Sequence, residues 1–480
     1  MSNEEQQSVK LIDFFLDNTA SMEKLTRAEC KDVLSLASAT AASTQDMVIK
    51  GKCYDLLYEC CFHMDLDIKE MWNIYWILKY DLFRNAEITF SGYLDRLYRA
   101  VFLKIKAALP DCYAPYETAP NNLVVITTDQ MINIGHAPTR RVLDYAYAIF
   151  TGAGKAVMIV NSAGMNYYRC HCLTGPGIFS FDEELNNYKQ INYKGVNFLF
   201  KQIDAKMPDL YCIRETLDEI YELKPELVYN IGGSELVADL CGAFTKTCCF
   251  PCSTDIPITM SRYLLVGRQL NDADSERLSR LEDYQQTVET VVNYQLTYPA
   301  ENPYSRSGFG LSDSDFVFGI VGSRLDTEMN DSFIELMDRM LLDMDIHFLI
   351  IGAVNNPERI LEMVSFPEKI HFAGGILNAE LAIKLLDVYL NPYRSGGGRS
   401  SFEALAQGVP VITFGYGDVY HTCGGEFAVE DEEHLLRTAE RYMTDSSFME
   451  RQKSLALKRA DRLSDIASTQ KEILDKIHND

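Results

Sequence analysis

Three consecutive glycines, Gly396, Gly397 and Gly398, stand where they could bind an anion. The apolar run VYLNP precedes them, and SSFEALAQG, which has helical spacing, follows them. Glycine lets a ligand approach the backbone closely, and the N–H groups and dipole of a helix N-terminus favour negative charge. The segment therefore predicts a diphosphate-binding turn with Ser400 or Ser401 as the helix N-cap. An ordinary tight turn between a strand and a helix is the alternative.

Two charged side chains extend the predicted chemistry. Glu403 would lie in the first turn of the predicted helix, where its carboxylate could accept hydrogen bonds from the hydroxyls of a ribose. Arg324 ends the strand-like run DFVFGIVGSRL and could pair with phosphate oxygens, although it could also be a surface arginine. The net charge of the chain is −24, so a phosphate would need a locally positive site formed by arginines and helix N-termini.

Two histidines could transfer protons, because imidazole titrates near neutral pH. His136 lies beside Gly135 in the turn NIGHAPT, where it could act as the general base toward a substrate hydroxyl. His421 lies in GYGDVYHTCGGEF, after the last strand-like run, and could contact a phosphate or act as an acid or base. A structural hydrogen bond is the alternative for each histidine.

A second glycine turn follows another strand-like run, in ELVYNIGGSELVADL. Its residues Gly232, Gly233 and Ser234 would then stand at the carboxyl end of a strand, where ligands of parallel sheets usually bind. We expect them to line the site of a substrate, with a plain tight turn as the alternative.

The elements that would position these residues form a helical part and an α/β part. Residues 1 to about 115 show helical apolar spacing, as in GYLDRLYRAVFLKIKAAL, and no strand signal. From Asn121 onward, strands, glycine turns and helices alternate, which predicts parallel sheets. The predicted division is a helical domain (1–115), a first Rossmann-like domain (121–270), a linker (271–311) and a second Rossmann-like domain with terminal helices (312–480).

Composition narrows the class of protein. The acidic surface would repel nucleic acid, and no apolar run reaches the ~20 residues that span a bilayer. The N-terminus MSNEEQQSVK lacks the basic region of a secretory signal. Thirteen cysteines are scattered without the paired spacing of a zinc site, and so indicate reduced thiols in a cytoplasmic protein.

The whole string NPYRSGGGRSSFEALAQGVPV resembles the donor-binding half of GT-B glycosyltransferases, and the resemblance extends from about Asn121 to the C-terminus. It implies two Rossmann-like domains facing a cleft, preceded here by the all-helical domain. It also implies roles for the matching residues. The glycine loop with Arg399, Ser400 and Ser401 would bind the donor diphosphate, Glu403 would contact the ribose, and Arg324 would pair with the phosphates. The turn at His136 would face the acceptor.

The resemblance also implies the reaction. A sugar would pass from a nucleotide sugar, with UDP as the expected nucleotide, to a protein or glycan acceptor without a metal ion. The GYGDVYHTCGGEF loop resembles one in bacterial cytoplasmic enzymes that glycosylate adhesins and are related to O-GlcNAc transferases. Many retaining GT-B enzymes carry a glutamate eight positions before the ribose-binding one. Ser395 stands there in this chain, which leaves the stereochemical outcome open.

Two other functions remain compatible with the sequence. One is a sugar-nucleotide epimerase, and the other is a catalytically inactive GT-B module that serves as a binding or chaperone subunit of a partner glycosyltransferase. For the helical domain, which carries no catalytic signature, we expect recognition of a protein acceptor or assembly of a homo-oligomer.

Overall fold

The computed structural model describes residues 3–85, 88–109, 112–175, 181–295 and 302–479. The chain divides into two compact units. The first takes in Met1–Val266, Leu270–Val288 and Leu474–Asp480, and the second takes in Gly267–Gln269 and Glu289–Ile473. The boundaries of the four predicted segments stay predictions.

The first unit begins with helices and has no strand within residues 3–85 and 88–109, as predicted. These helices are α1 (Asn3–Asp17), α2 (Arg27–Ser43), α3 (Met47–His63), α4 (Ile68–Arg84) and α5 (Leu94–Ala108). Their starts follow the usual capping chemistry, because Thr26 and Asp67 each form a capping box with a glutamate three residues on. Helix α4 is dense in aromatic residues and buries most of its surface.

A mostly parallel sheet completes the first unit. Its strands are β1 (Asn121–Thr128), β2 (Ala156–Asn161), β3 (Gln190–Tyr193), β4 (Val196–Gln202), β5 (Pro225–Gly232), β6 (Lys246–Pro251), β7 (Tyr263–Val266) and β8 (Gln286–Glu289). Its helices are α6 (Ala137–Ala153), α7 (Leu210–Leu223), α8 (Leu236–Cys241) and α9 (Ser275–Leu278). The strand order is β3-β4-β2-β1-β5-β6-β7-β8, with β3 antiparallel to β4. The chain runs outward in both directions from β1 and β5, so their carboxyl ends form a topological switch point, where α/β sheets bind ligands.

The helical segment and the first sheet share one hydrophobic core. Buried residues of α2 to α5 pack in the same cluster as residues of β1, β2 and β5. Hydrogen bonds also connect them. The indole of Trp72 donates to the carbonyl of Gly164 at 3.1 Å, and the hydroxyl of Tyr98 donates to Asp239 at 2.6 Å. The helices therefore contribute to the structure that supports the carboxyl edge of this sheet.

The second unit contains a parallel sheet flanked by helices. The strands are β9 (Val317–Val321), β10 (His347–Ile351), β11 (Ile370–Gly374), β12 (Val388–Leu390), β13 (Val411–Phe414) and β14 (Ala428–Val429). The helices are α10 (Leu325–Glu328), α11 (Asp331–Asp343), α12 (Pro357–Met363), α13 (Ala379–Ile383), α14 (Gly398–Ala406), α15 (Gly417–Cys423), α16 (Glu432–Thr444) and α17 (Ser446–Ser464). Helix α18 (Ile466–Asn479) begins in this unit, and its residues from Leu474 onward belong to the first unit. The strand order is β11-β10-β9-β12-β13-β14, so the switch point lies between β9 and β12.

The two sheets and the helical N-terminal region are those of the fold class predicted from the sequence. In the described part of the chain, no helix combines the length and the apolar character needed to cross a membrane.

Asp239 joins the helical segment to the sheet of the first unit. Its buried carboxylate accepts hydrogen bonds from Tyr98 on α5, from the hydroxyls of Thr259 and Ser261, and from the amide of Met260. Burial raises the pKa of Asp239, and the hydrogen bonds oppose that shift. A hydrogen bond to such a group is costly to remove, because water cannot replace the lost donor.

We predict that Tyr98→Phe lowers the free energy of unfolding of the first unit by about 1–3 kcal/mol, as expected for a buried charged acceptor that loses a donor. Tyr113→Phe is the matched control, since the Tyr113 hydroxyl donates to Asp218, whose side chain is about half exposed. Its loss should cost less than about 1 kcal/mol, because water can replace that donor. Urea denaturation followed by circular dichroism measures both, and equal losses would contradict the role assigned to Asp239.

Candidate active site

The three glycines lie at the switch point of the second sheet. They connect the carboxyl end of β12 to helix α14. Gly397 is the N-cap of α14 and has a φ of +103°, a conformation that side chains other than glycine rarely adopt. Among the described residues, no side chain caps this helix. The amides of its first turn are therefore oriented as in an anion-binding site.

The prediction that Ser400 or Ser401 caps the helix is wrong. The N-cap is Gly397, three residues before Ser400, and the helix begins at Gly398. The left-handed backbone of Gly397 turns the chain directly into the helix. Both serines lie in the first turn, and their hydroxyls donate back to the carbonyls of Gly397 and Gly398, at 3.1 and 2.9 Å. Ser400 also lies 2.9 Å from the hydroxyl of Tyr389. These bonds fix the shape of the glycine loop.

Arg324 lies beside the glycine loop. It is the N-cap residue of α10, directly after β9, and a Cβ atom added to Gly396 would lie 3.1 Å from its Nη2 atom. The guanidinium also pairs with Glu328 at 3.1 Å, and about a third of the Arg324 side chain is exposed. The structure thus brings Arg324 and the loop together, although 72 positions separate Arg324 and Gly396 in the sequence.

A second arginine, Arg394, lies buried beneath the loop, and no role was predicted for it. Its guanidinium donates to Glu328 and Asn391 at 2.8 Å each and to the hydroxyl of Tyr389 at 2.5 Å. A Cβ atom on Gly397 would lie 2.7 Å from the guanidinium carbon. Glu328 therefore pairs with both arginines, and Arg394 explains why position 397 must be glycine.

Glu403 lies in the second turn of α14 rather than in the first, because the helix starts earlier than predicted. Its side chain is largely buried, and one carboxylate oxygen accepts a hydrogen bond from Arg399 at 2.9 Å. Arg399 also donates to the carbonyl of Gln295 at 3.2 Å. Arg399 thus holds the Glu403 carboxylate in a fixed orientation.

His421 lies on α15, which packs against α14. The next residue, Thr422, has its hydroxyl 2.9 Å from a Cβ atom added to Gly398, and the hydroxyl of Tyr294 is equally close, at 2.8 Å. Arg459 holds this segment by donating to the backbone carbonyls of His421 and Thr422. The structure therefore places His421 close to the glycine loop.

The second glycine turn lies at the switch point of the first sheet, after β5. Ser234 is completely buried, and its hydroxyl contacts Tyr75 at 2.5 Å, Lys79 at 3.0 Å and the carbonyl of Ile258 at 3.1 Å. These contacts occupy the hydroxyl, which argues for a positioning role rather than direct contact with a ligand. Gly232 and Gly233 have φ values of +136° and +102°.

Asp129 follows β1 and faces the same turn. A Cβ atom added to Gly232 would lie 2.8 Å from its Oδ1 atom. That oxygen is buried and has no hydrogen-bond partner in the part of the chain that the structure describes. Burial raises the pKa of Asp129 to about 6, and the positive charge of Lys79 opposes the shift.

His136 and Gly135 also follow β1. His136 is the N-cap residue of α6, and its Nδ1 atom lies 3.1 Å from the hydroxyl of Thr139. Burial lowers the pKa of the imidazole. The backbone of Gly135 donates to the side chain of Asn133 at 2.9 Å, which shapes the turn.

The sequence interpretation missed Asp129, Lys79, Arg394 and Glu328. Asp129 had a usable signal, because a carboxylate directly after a buried strand marks the ligand-binding edge of a parallel sheet. Arg394 stood inside the segment that carried the resemblance. Lys79 lies in the apolar run MWNIYWILKY, and only the packing of α4 brings it to Ser234, 155 positions away.

Comparisons with known proteins identify the fold and the class of protein. Residues 315–445 match the family model described as glycosyl transferases group 1. No curated protein matches the sequence at a significant level. The chain resembles the O-GlcNAc transferase of Thermobaculum terrenum with a TM-score of 0.58 and 14% identity, over 99% of this chain and 93% of that one.

Two other solved structures resemble the chain over 74% of its length and 99% of their own. They are sucrose-phosphate synthase from Thermosynechococcus elongatus, with a TM-score of 0.53 and 13% identity, and HepE from Anabaena in complex with UDP, with a TM-score of 0.53 and 11% identity. The chain therefore has the GT-B fold. Its residues 315–445 form a group 1 glycosyl transferase domain, and the protein is a glycosyltransferase.

We predict that Gly397→Ala weakens binding of UDP at least tenfold. The methyl group would meet the Arg394 guanidinium, and the backbone would leave its φ of +103°, so the loop must shift. Gly415→Ala is the control, because within the described chain a Cβ atom there meets nothing within 4 Å and its φ is not positive. Isothermal titration with UDP compares the two variants, and unchanged affinity in Gly397→Ala would contradict the predicted role of the loop.

Proposed function

We propose that this glycosyltransferase moves a sugar from a UDP-sugar to a hydroxyl of a protein or glycan acceptor, without a metal ion. The observation that carries the proposal is the position of the Arg324 guanidinium beside Gly396, at the uncapped N-terminus of α14. A diphosphate at this place would meet backbone amides, a helix dipole and a guanidinium, all of which favour negative charge.

We assign roles to the other predicted site residues of the second unit from this position of the diphosphate. The Gly396–Gly398 loop, Arg399, Ser400 and Ser401 form the diphosphate site. Glu403, oriented by Arg399, accepts hydrogen bonds from the ribose hydroxyls. His421, on the helix that packs against α14, contacts the donor phosphate. The HepE complex with UDP supports the choice of nucleotide.

The acceptor site is proposed at the carboxyl edge of the first sheet. Gly135 and His136 follow β1 there, and Gly232 and Gly233 follow β5. In O-GlcNAc transferases, as the name of the Thermobaculum relative states, the sugar transferred is N-acetylglucosamine. We therefore place this sugar first among the donors to be tested.

Location and assembly also belong to the proposal. All thirteen cysteines are free thiols, and nine of them are buried, which fits a reducing cytoplasm. A homo-oligomer formed through the helical segment stays a prediction.

We predict that UDP and one UDP-sugar raise the melting temperature of the protein. A ligand at one hundred times its Kd stabilises the folded state by about 2.7 kcal/mol.

Arg324→Ala should weaken UDP binding at least tenfold, because it removes the cation beside the diphosphate. Arg441→Ala is the control, since Arg441 forms an exposed ion pair with Asp445. A thermal-shift panel of nucleotides and nucleotide sugars on the parent and the two variants tests both predictions. The absence of a shift in the parent with every one of these ligands would refute the proposal.

The role of Glu403 can be tested by the choice of ligand. We predict that Glu403→Ala weakens binding of UDP-N-acetylglucosamine and of UDP about equally and at least fivefold, because both contain the ribose. Inorganic pyrophosphate, which has no ribose, should compete for the site in the variant as it does in the parent. Equal UDP affinity in the variant and the parent would remove Glu403 from the site.

A further inference from the structure

The switch point of the first sheet holds a buried carboxylate and a buried ammonium group that the proposed donor site does not use. Asp129 follows β1, and Lys79 projects from α4 in the helical segment. The Lys79 ammonium donates to Ser234 at 3.0 Å and lies 4.6 Å from the ring centre of Trp76. It carries three N–H donors, so further acceptors can bind it.

The Oδ1 atom of Asp129 is a buried acceptor without a hydrogen-bond donor in the described residues. Buried polar groups are nearly always hydrogen-bonded, so a buried acceptor of this kind suits a donor group on a bound ligand. The carboxylate is only 3% exposed. A Cβ atom added to the neighbouring Gly233 would meet none of the described atoms within 4 Å, so the turn leaves open space beside it.

The chemistry of this pair matches a hydroxyl group. A hydroxyl can donate its hydrogen to the Asp129 carboxylate while its oxygen accepts a hydrogen bond from Lys79. Two further buried oxygens lack a hydrogen-bond partner among the residues that the structure describes. They are the hydroxyl of Thr127 and the amide oxygen of Asn230, and these two residues are register partners on β1 and β5. Four polar side chains therefore gather where the two strands end.

The other acid–base candidate at this edge is His136, and its position disfavours the charge that a base acquires. The imidazole stands at the N-terminus of α6, where the helix dipole opposes a positive charge. Burial opposes it as well and lowers the pKa of His136. Its Nδ1 atom is hydrogen-bonded to a neutral hydroxyl, that of Thr139, which cannot neutralise an imidazolium. A neutral His136 can still orient an acceptor by a hydrogen bond.

We propose that Asp129 is the general base of the transfer and that Lys79 positions it and the attacking hydroxyl. The acceptor O–H bond breaks, and its proton goes to Oδ1 of Asp129. The acceptor oxygen forms a bond to the anomeric carbon of the sugar. The bond between that carbon and the diphosphate oxygen breaks, and its electron pair leaves with UDP. This inference rests on the proposed function and names the acceptor-activating group within it.

The pH dependence of the reaction distinguishes the two candidate bases. The titratable groups that face Asp129 are Lys79 and Tyr75, both on α4, and Lys79 in turn faces Cys249 and Cys252. A base must be ionised to act, so the rate should rise with pH through the pKa of Asp129, about 6, and level off above it. This rise is the acidic limb of the pH–rate profile. Loss of the Lys79 charge should move the acidic limb to higher pH, because the ammonium stabilises the carboxylate.

The test uses the full-length protein and water as the acceptor. We measure UDP release from UDP-N-acetylglucosamine and from UDP-glucose between pH 5 and pH 8 for the parent, Asp129→Asn, Lys79→Met and His136→Gln. Asp129→Asn should slow release by about 100-fold or more, the usual contribution of a general base, and should lack the acidic limb. Its affinity for UDP should stay within twofold of the parent, because the proposed nucleotide site lies in the second unit.

Glu226→Gln is the matched control. Glu226 lies near the start of β5, at the opposite end of the sheet, and pairs with Lys155 at 2.9 Å. Its replacement should change neither the rate nor the acidic limb. The melting temperature of Asp129→Asn checks the fold, and we expect it to remain within about 3 °C of the parent.

Three results would overturn the inference. The first is that Asp129→Asn retains both the rate and the acidic limb of the parent. The second is that the acidic limb disappears in His136→Gln but persists in Asp129→Asn. The third is a parent protein that binds a UDP-sugar and releases no UDP in water, because a site for the attacking hydroxyl must admit water. If neither UDP nor a UDP-sugar binds, the proposed function itself has failed.

Discussion

The ion pair between Arg394 and Glu328 is the interaction on which the second unit depends. A buried guanidinium must be neutralised and hydrogen-bonded, and Glu328, Asn391 and Tyr389 do this for Arg394. The satisfied guanidinium then packs against Gly397 and determines the left-handed backbone there. Because Glu328 also pairs with Arg324, the same carboxylate positions the cation beside the loop.

In the first unit, a helix far away in sequence completes the edge of a sheet. Helix α4 is buried through its aromatic residues, among which Trp72 stacks on Tyr75 and both rings contact Tyr98 at a tilt. This packing brings the polar ends of Tyr75 and Lys79 to Ser234. The helical segment, for which the sequence predicted acceptor recognition or oligomerisation, thus has a structural role at the proposed acceptor site. Its predicted roles are untested.

The two units use the same topological principle for different chemistry. In each sheet the order in which successive strands are added reverses at one pair of parallel strands, β1 and β5 or β9 and β12. Polar groups lie where those strands end. The second unit presents cations and helix amides, which suit a diphosphate. The first unit presents a carboxylate beside an ammonium group, which suits a hydroxyl. The charge of each edge follows from a few buried residues, while the chain as a whole carries a net charge of −24.

The sequence by itself determined the class of fold, the helical N-terminal region and the glycine loop, because these depend on local periodicity and on glycine. It misplaced the start of α14, since it could not show that Gly397 adopts a φ of +103°. Only the tertiary structure decided which charged groups meet. Arg394 and Glu328 are 66 positions apart, and Lys79 and Ser234 are 155 apart. Such contacts depend on how helices pack against strands, which no local pattern of residues specifies.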